Sequence, residues 1–268
     1  MLPAKTAAAL REHLDAWWLT NGRKYPWRDT RDPYRVLVAE LMLHRTKADQ
    51  VASVYQRFLD RYPTAKSLSE TSSAEILRIL RPLGLHWRSR LVADLFSEVN
   101  SRMGGRVPVS APVLRKLPGV SDYISGAVVC FTRDEPVVIL DTNIVRVLGR
   151  VSGSRTSDAS RRSLRFRVFL RSLLPGSSVR RFYFALLDLA ALVCLPHGPL
   201  CNQCPVAPEC TYARVRLNAS TPVRLQMASQ VPPVSRLVTQ DAGSTRAARS
   251  RQRLSIASRA GMDAGRSD

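Results

Sequence analysis

A tight Pro-Gly turn between two apolar runs, with a single carboxylate at the far end, constrains this chain more than any other feature. The stretch Leu117–Asp141 reads LPGVSDYISGAVVCFTRDEPVVILD. Leu114, Leu117 and Val120 lie before or in the turn, and Ile124, Ala127, Val128 and Phe131 recur after it at helical spacing. The pattern predicts a helix, a short hairpin, a second helix and an apolar run that delivers Asp141. Gly119 permits the tight backbone turn, and the helix after it leaves unpaired N–H groups at its start. Such groups bind phosphate without reading base sequence. The same pattern also suits an ordinary helical hairpin whose Asp141 only caps the next helix.

Upstream, Lys5–Leu19 predicts a first helix with Leu10, Leu14, Trp17 and Trp18 as its apolar face. Asn21–Pro33 is a loop, and Asp32 with Pro33 forms a natural helix start. The helix that follows, through Leu43, is apolar almost all round and therefore buried. Glu40 stands in its middle. A buried carboxylate is costly unless it is paired or used. Glu40 is thus either the partner of an arginine or an acid with a raised pKa. Further helices are predicted over Ala48–Arg61, Ser72–Leu80, Ser89–Met103, Pro112–Leu117, Ser163–Leu173 and Val179–Val193, with another starting at Thr142. Strand patterns are scarce and there is no internal repeat, so the fold class is all-α.

The 268 residues include 41 Lys and Arg against 21 Asp and Glu, a formal net charge of +20. An excess this large points to a polyanion, and nucleic acid above all. A genome rich in Arg codons together with a basic tail is the plainer explanation. No apolar run reaches the roughly 18 residues of a membrane span. The N-terminus carries acidic residues and reads as a helix, not a secretion signal. Residues 214–268 turn to Ser, Ala, Gln, Pro and Arg with few aromatics, which predicts a disordered basic tail.

Four of the five cysteines fall between Cys194 and Cys210, as Cys194, Cys201, Cys204 and Cys210, with six, two and five residues between them. Without a secretion signal this clustering favours a metal site over disulfides. The chemistry alone leaves zinc and an iron–sulfur cluster both open.

Taken together, the hairpin, the Asp about twenty residues after it and the cysteine spacing resemble the helix-hairpin-helix DNA glycosylases, the superfamily of endonuclease III and MutY. Tyr25-Pro26-Trp27-Arg28 and Leu83-Gly84-Leu85 fit the same pattern, and the resemblance covers roughly Leu10 to Tyr212. It implies a two-lobed fold, with a six-helix domain over 30–140, a cluster domain from 1–29 and 141–213, and the tail. It implies a [4Fe–4S] cluster on Cys194, Cys201, Cys204 and Cys210. It assigns catalytic positions to Glu40, Tyr123, Asp141 and Asn143. DNA contacts fall to His44, Arg45, Leu117, Gly119, Val120 and Ser121, with Arg45 as the side chain that plugs the duplex. Two departures stand out. Ser121 replaces the usual second hairpin glycine, and the loop Leu195–Leu200 lacks the family's common Arg and Lys.

Superfamily members that also cut the strand carry a lysine nucleophile where this chain has Tyr123, so the resemblance implies a monofunctional enzyme that uses water. Leu43-His44-Arg45-Thr46 and Asp141-Thr142-Asn143-Ile144-Val145-Arg146-Val147 are closer to the thymine/uracil mismatch (Mig-type) glycosylases than to MutY. The implied substrate is T or U opposite G, with adenine opposite 8-oxoguanine or G as the alternative and a non-catalytic DNA-structure-binding protein as a third reading. The implied partner is double-stranded DNA with a mismatched or damaged base. No membrane is involved, and the protein would be a cytoplasmic, nucleoid-associated monomer.

Overall fold

The computed structural model describes residues 2–84 and 86–219. Twelve helices make up the described part: α1 (Ala4–Asn21), α2 (Pro33–Leu43), α3 (Ala48–Arg61), α4 (Ala65–Ser69), α5 (Ser73–Leu80), α6 (His86–Met103), α7 (Ala111–Leu114), α8 (Asp122–Arg133), α9 (Thr142–Ser152), α10 (Leu164–Leu173), α11 (Val179–Leu192) and α12 (Thr211–Ala219). No strand occurs among the described residues, as the all-α reading requires. No helix among them is long and apolar enough to cross a membrane.

Local chemistry sets the helix ends. The Asp32 carboxylate accepts from the Tyr34 N–H at 3.0 Å, and Pro33 occupies the first helical position of α2. Ser72 and Glu75 form a capping box at the start of α5. Several boundaries differ from expectation, and α6 starts at His86, ahead of Ser89. Helix α4 is not among the predicted helices, because five residues are too few to show periodicity and its capping pair, Thr64 and Ser67, is not the usual Ser/Thr with Glu. Helix α7 stops at Leu114, short of Leu117, because a residue before proline avoids the helical region. The expected tail boundary at 214 falls inside α12, which continues to Ala219; the rest of that tail lies outside the described residues, as does Leu85.

Two sets of helices pack among themselves. Helix α2 lies on α3 and α8, α4 and α5 lie on α6, and α7 lies on α8. Helix α1 lies on α10 and α11, and α9 contacts α10, α11 and α12. Helix α8 meets α11 between the sets.

A buried charge knot fixes the loop that joins α1 to α2. Asp188 on α11 is fully buried. Arg28 reaches it with two bonds of 2.7 and 3.0 Å, Arg23 with its Nε at 2.7 Å and its backbone N–H at 3.0 Å, and the Trp18 indole at 3.0 Å. Burial alone would raise the Asp188 carboxyl, but the hydrogen bonds and charges of Arg28 and Arg23 outweigh it and hold the group below the ordinary aspartate range. From the same helix, Arg180 donates to the carbonyls of Arg28 and Thr30 at 2.5 and 2.7 Å. Tyr183, also on α11, donates to Val137 O at 2.7 Å and accepts from the Ile139 N–H at 3.0 Å, which holds the extended run that ends on Asp141.

Replacing Asp188 by Asn removes the charge and strands two guanidiniums, one of them almost wholly buried. The expected cost is about 3 kcal/mol or more of unfolding free energy, the scale of a broken buried pair, measured by urea titration. A cost within about 0.5 kcal/mol, the size of an ordinary surface change, would contradict the role given to the knot.

Candidate active site

Helices α2, α8 and α9 bring Glu40, Tyr123 and Asp141 together. Glu40 is 5% exposed, deep in the apolar α2. Its carboxyl lies close enough to the Tyr123 hydroxyl for each to shift the other's titration. Burial and then the charge of Asp141 push Glu40 up to about 8, against smaller opposing effects from Tyr123 and Arg28. The Tyr123 hydroxyl is raised well above the ordinary phenol by burial and by both carboxylates, so it stays a neutral donor.

Asp141 caps α9. Its Oδ1 accepts from the Ile144 N–H at 2.7 Å and its Oδ2 from the Asn143 amide at 3.0 Å. Surrounding protein raises the carboxyl above the ordinary aspartate value, and the Ile144 and Asn143 donors and Arg146 hold back part of that rise. The two acids are therefore unequal. Asp141 has several donors and a nearby guanidinium, whereas Glu40 lies inside an apolar helix. Asp141 is the better placed of the two to carry charge, and that charge disfavours ionisation of Glu40. Asn143 is itself fixed, since Arg146 donates to its Oδ1 at 2.9 Å and anchors on the carbonyls of Cys194 and Ala190 at 3.0 and 2.8 Å.

The hairpin residues divide. Gly119 turns with φ 72°, and it and Ser121 are exposed. Leu117 and Val120 are buried, so only their backbone groups can face a ligand. Ser121 does the work of a cap in place of the usual glycine, accepting from the Ile124 N–H at 3.2 Å. His44 and Arg45 stand exposed just past the end of α2, and Arg45 takes a left-handed φ of 62°, uncommon for a residue with a side chain.

The four clustered cysteines form no disulfide and lie near enough to feel one another's charge. Arg150 donates to the Cys194 sulfur at 3.2 Å and to Leu195 O and Pro196 O at 2.7 and 2.9 Å. Backbone N–H groups of Val206 and of Tyr212 and Ala213 point at Cys204 and Cys210. Burial pushes the Cys204 thiol up to about 12. These donors suit sulfurs that carry negative charge when ligated. Among the described residues no group of three His, Cys, Asp or Glu side chains is placed to hold a metal ion. Four thiols on one loop with Arg150 donating to one of them are the donor type an iron–sulfur group takes.

Several residues of the site escape a reading of sequence alone. Arg28, Arg146, Arg150 and Asp188 position it, yet among 41 basic residues no single arginine stands out. A cavity of about 470 Å³ lined by Ser152, Leu164, Phe166, Phe169 and Thr211 lies away from the carboxylates, with Arg165 as its one titratable group, and offers no acid–base chemistry.

An all-α fold with a capped hairpin, an unequal acid pair and a four-cysteine loop defines a DNA-repair glycosylase by class. The family model for HhH-GPD superfamily base excision DNA repair proteins matches residues 38–170. The thymine-DNA glycosylase of Aeropyrum pernix is 37% identical over 209 residues, covering 76% of this chain and 94% of that protein. The adenine DNA glycosylase of Rattus norvegicus is 32% identical over 212 residues, covering 75% of this chain and 41% of that protein. The solved structure of a thermostable thymine-DNA glycosylase superposes with a TM-score of 0.74 at 31% identity, covering 79% of this chain and 98% of that one. The chain belongs to the HhH-GPD superfamily of base excision DNA repair proteins.

Glu40 titrates near its ordinary value in the unfolded chain and at about 8 in the fold. Below both values it is neutral in each state. Between them the unfolded chain alone is ionised, so the fold loses stability as pH rises towards 8. Glu40→Gln removes that penalty. It is expected to raise Tm at pH 8 by several degrees, roughly the effect of 1–2 kcal/mol, with the gain shrinking towards pH 4.5. A gain independent of pH, or none at pH 8, would show that Glu40 is not held protonated.

Proposed function

We propose that this protein is a monofunctional DNA glycosylase that hydrolyses the N-glycosidic bond of thymine or uracil opposite guanine. The observation that carries the reading is the unequal acid pair, Glu40 and Asp141, both close enough to Tyr123 to raise its hydroxyl, with Tyr123 at the position where the resemblance gives a strand-cutting enzyme its lysine. The chain matches its thymine-DNA glycosylase relative almost end to end and less than half of its adenine-DNA glycosylase relative, which favours the mismatch reading over the adenine one. A protein that only bound DNA would have no use for a buried carboxyl kept neutral beside an ionised one.

In this mechanism the C1′–N bond breaks as Glu40 gives its proton to the departing base. Ionised Asp141 stabilises the positive charge that builds on the sugar. Asp141 then takes the proton of the water whose oxygen adds to C1′. Asn143 holds Asp141 and that water in register. Tyr123 packs against the flipped nucleotide and keeps Glu40 aimed. Gly119, Ser121 and the backbone at Leu117 and Val120 grip phosphate through N–H groups. Arg45, exposed and left-handed, fills the gap in the stack while His44 contacts the duplex beside it. Extrusion of the base costs least at a mismatch, which gives part of the selectivity.

The reading extends to two lobes, with residues 30–140 as the six-helix domain and 1–29 with 141–213 as the cluster domain, acting as a monomer on chromosomal DNA. Cys194, Cys201, Cys204 and Cys210 hold the [4Fe–4S] group, which orders the loop that Arg146 and Arg150 tie to α9. The purified protein should be yellow-brown, from thiolate-to-iron charge transfer, with iron and sulfide in equal amounts, and Cys204→Ser should lose both colour and iron. A colourless, folded protein with stoichiometric zinc would overturn the assignment.

The chemistry is tested by single-turnover excision on duplexes with one G·T, G·U or A·8-oxoguanine site. G·T and G·U should react. Asp141→Asn should lose about 10²-fold or more, the scale of one strong electrostatic contact, and still bind mismatched DNA. The strand should stay whole until alkali is added. Borohydride trapping on DNA, or excision of adenine alone, would reject the proposal.

A further inference from the structure

Arg88, in the first turns of α6, is 3% exposed, an uncommon place for a guanidinium. It sits with Val38, Leu41, Phe58, Leu80 and Phe96 around a small apolar gap where α2, α3, α5 and α6 meet. Its Nη1 donates to Leu41 O at 2.8 Å. Its Nη2 donates to the backbone carbonyl of His44 and lies 2.8 Å from the imidazole Nδ1 of the same residue. Both carbonyls belong to the end of α2, where the last turn of a helix leaves acceptors without partners. Helices commonly end on a left-handed glycine that closes these acceptors off. Here His44 leaves the helix in extended backbone, and the left-handed position falls one residue later, on Arg45. A planar fork of donors matches diverging acceptors of this kind, and a lysine ammonium does not.

A guanidinium donates and never accepts. The His44 Nδ1 is therefore the acceptor, and the proton of the neutral ring is on Nε2. We infer that Arg88 is a positioning residue for base excision, one that closes the end of the Glu40 helix, fixes His44 as the neutral Nε2–H form and so presents His44 and Arg45 to the duplex in one geometry. The inference rests on the glycosylase reading above and adds to it a residue that touches neither DNA nor the reacting atoms.

Three cations face His44: Arg88 from α6, Arg45 beside it, and Arg161 from the turn Asp158–Arg162. Burial and then these charges hold its imidazole below the ordinary histidine value. His44 thus stays uncharged at neutral pH and offers DNA one directed N–H in place of diffuse phosphate attraction. Contacts of that kind set register more than affinity.

The test has two arms. Nitrogen-15 NMR of the full-length wild-type protein, free of DNA, should find the His44 ring in the single Nε2–H form at pH 7 and titrating below the ordinary histidine value. A ring in mixed tautomers, or one that titrates at or above the ordinary value, would overturn the clamp whatever the enzyme does. The second arm uses a duplex with 2-aminopurine next to a G·T pair. Arg88→Met should release the ring to mixed tautomers and an ordinary titration. It should also lower the 2-aminopurine signal of base extrusion and narrow the affinity gap between G·T and matched duplex by about tenfold, the worth of one charge-assisted hydrogen bond. Affinity for matched duplex should hold. Arg88→Lys should fall between Arg88→Met and the wild type. Wild-type extrusion and discrimination by both variants would overturn the proposal. If Arg88→Met does not fold, the wild-type spectrum and Arg88→Lys decide. A wild-type protein that excises no base from any duplex would sink the glycosylase reading, while the spectrum would still judge the clamp.

Discussion

The loop between α1 and α2 is held by buried charge, and the position of the acid on α2 depends on it. Asp188 gathers two guanidiniums and an indole N–H from residues 18–28, so a segment rich in glycine, proline and charge becomes a fixed strut. Taking such charges out of water is costly, and the arrangement holds because each Asp188 oxygen meets more than one donor. Arg28 is also sandwiched against aromatic faces, 4.7 Å from the centre of the Phe184 ring and 5.2 Å from that of Tyr25, contacts that favour a desolvated guanidinium. Helix α11 supplies Asp188, Arg180 and Tyr183. It therefore aligns both approaches to the site, the loop before α2 and the extended run before α9.

That alignment gives the acid pair its asymmetry. Glu40 sits in an apolar helix where ionisation is penalised, and Asp141 sits at a helix start where N–H groups welcome an anion. Arg28 moderates the effect, since its charge draws the Glu40 carboxyl back towards the ordinary range. The balance leaves Glu40 near 8, a value that suits the general-acid role proposed for it, since such a group must hold its proton and still release it. The link from Asp141 through Asn143 and Arg146 to the Cys194 carbonyl ties the same carboxylate to the cysteine loop. Folding of that loop and geometry at the site are thus mechanically joined.

Much of this was legible in the chain. Periodicity and caps located most of the helices, because Asp32-Pro33 and the apolar runs act locally. The hairpin was legible because only glycine turns freely at φ 72°, and Glu40 because a charge in an apolar helix violates the pattern around it. What escaped depends on contacts far apart in sequence. Asp188 meets Arg28 across 160 residues, and Arg88 meets Leu41 across 47. Nothing local marks those arginines among so many others. Donor counting at Asp141 foresaw the N–H contacts, yet the net rise of its carboxyl comes from surrounding protein that no motif records. Ser121 looked like a flaw in the hairpin and proved to be a cap, because a hydroxyl meets the helix start as a glycine cannot.

The central claim is that one carboxyl of the pair is protonated and the other ionised in the resting enzyme. Infrared difference spectra of protein carrying ¹³C-labelled glutamate, wild type minus Glu40→Gln, read this directly. The account predicts a protonated carboxylic C=O band at pH 7 that disappears with a midpoint near 8, and no matching band in the wild-type minus Asp141→Asn difference from aspartate-labelled protein. A carboxylate signal from Glu40 at pH 7, or a protonated band from Asp141 in its place, would contradict it.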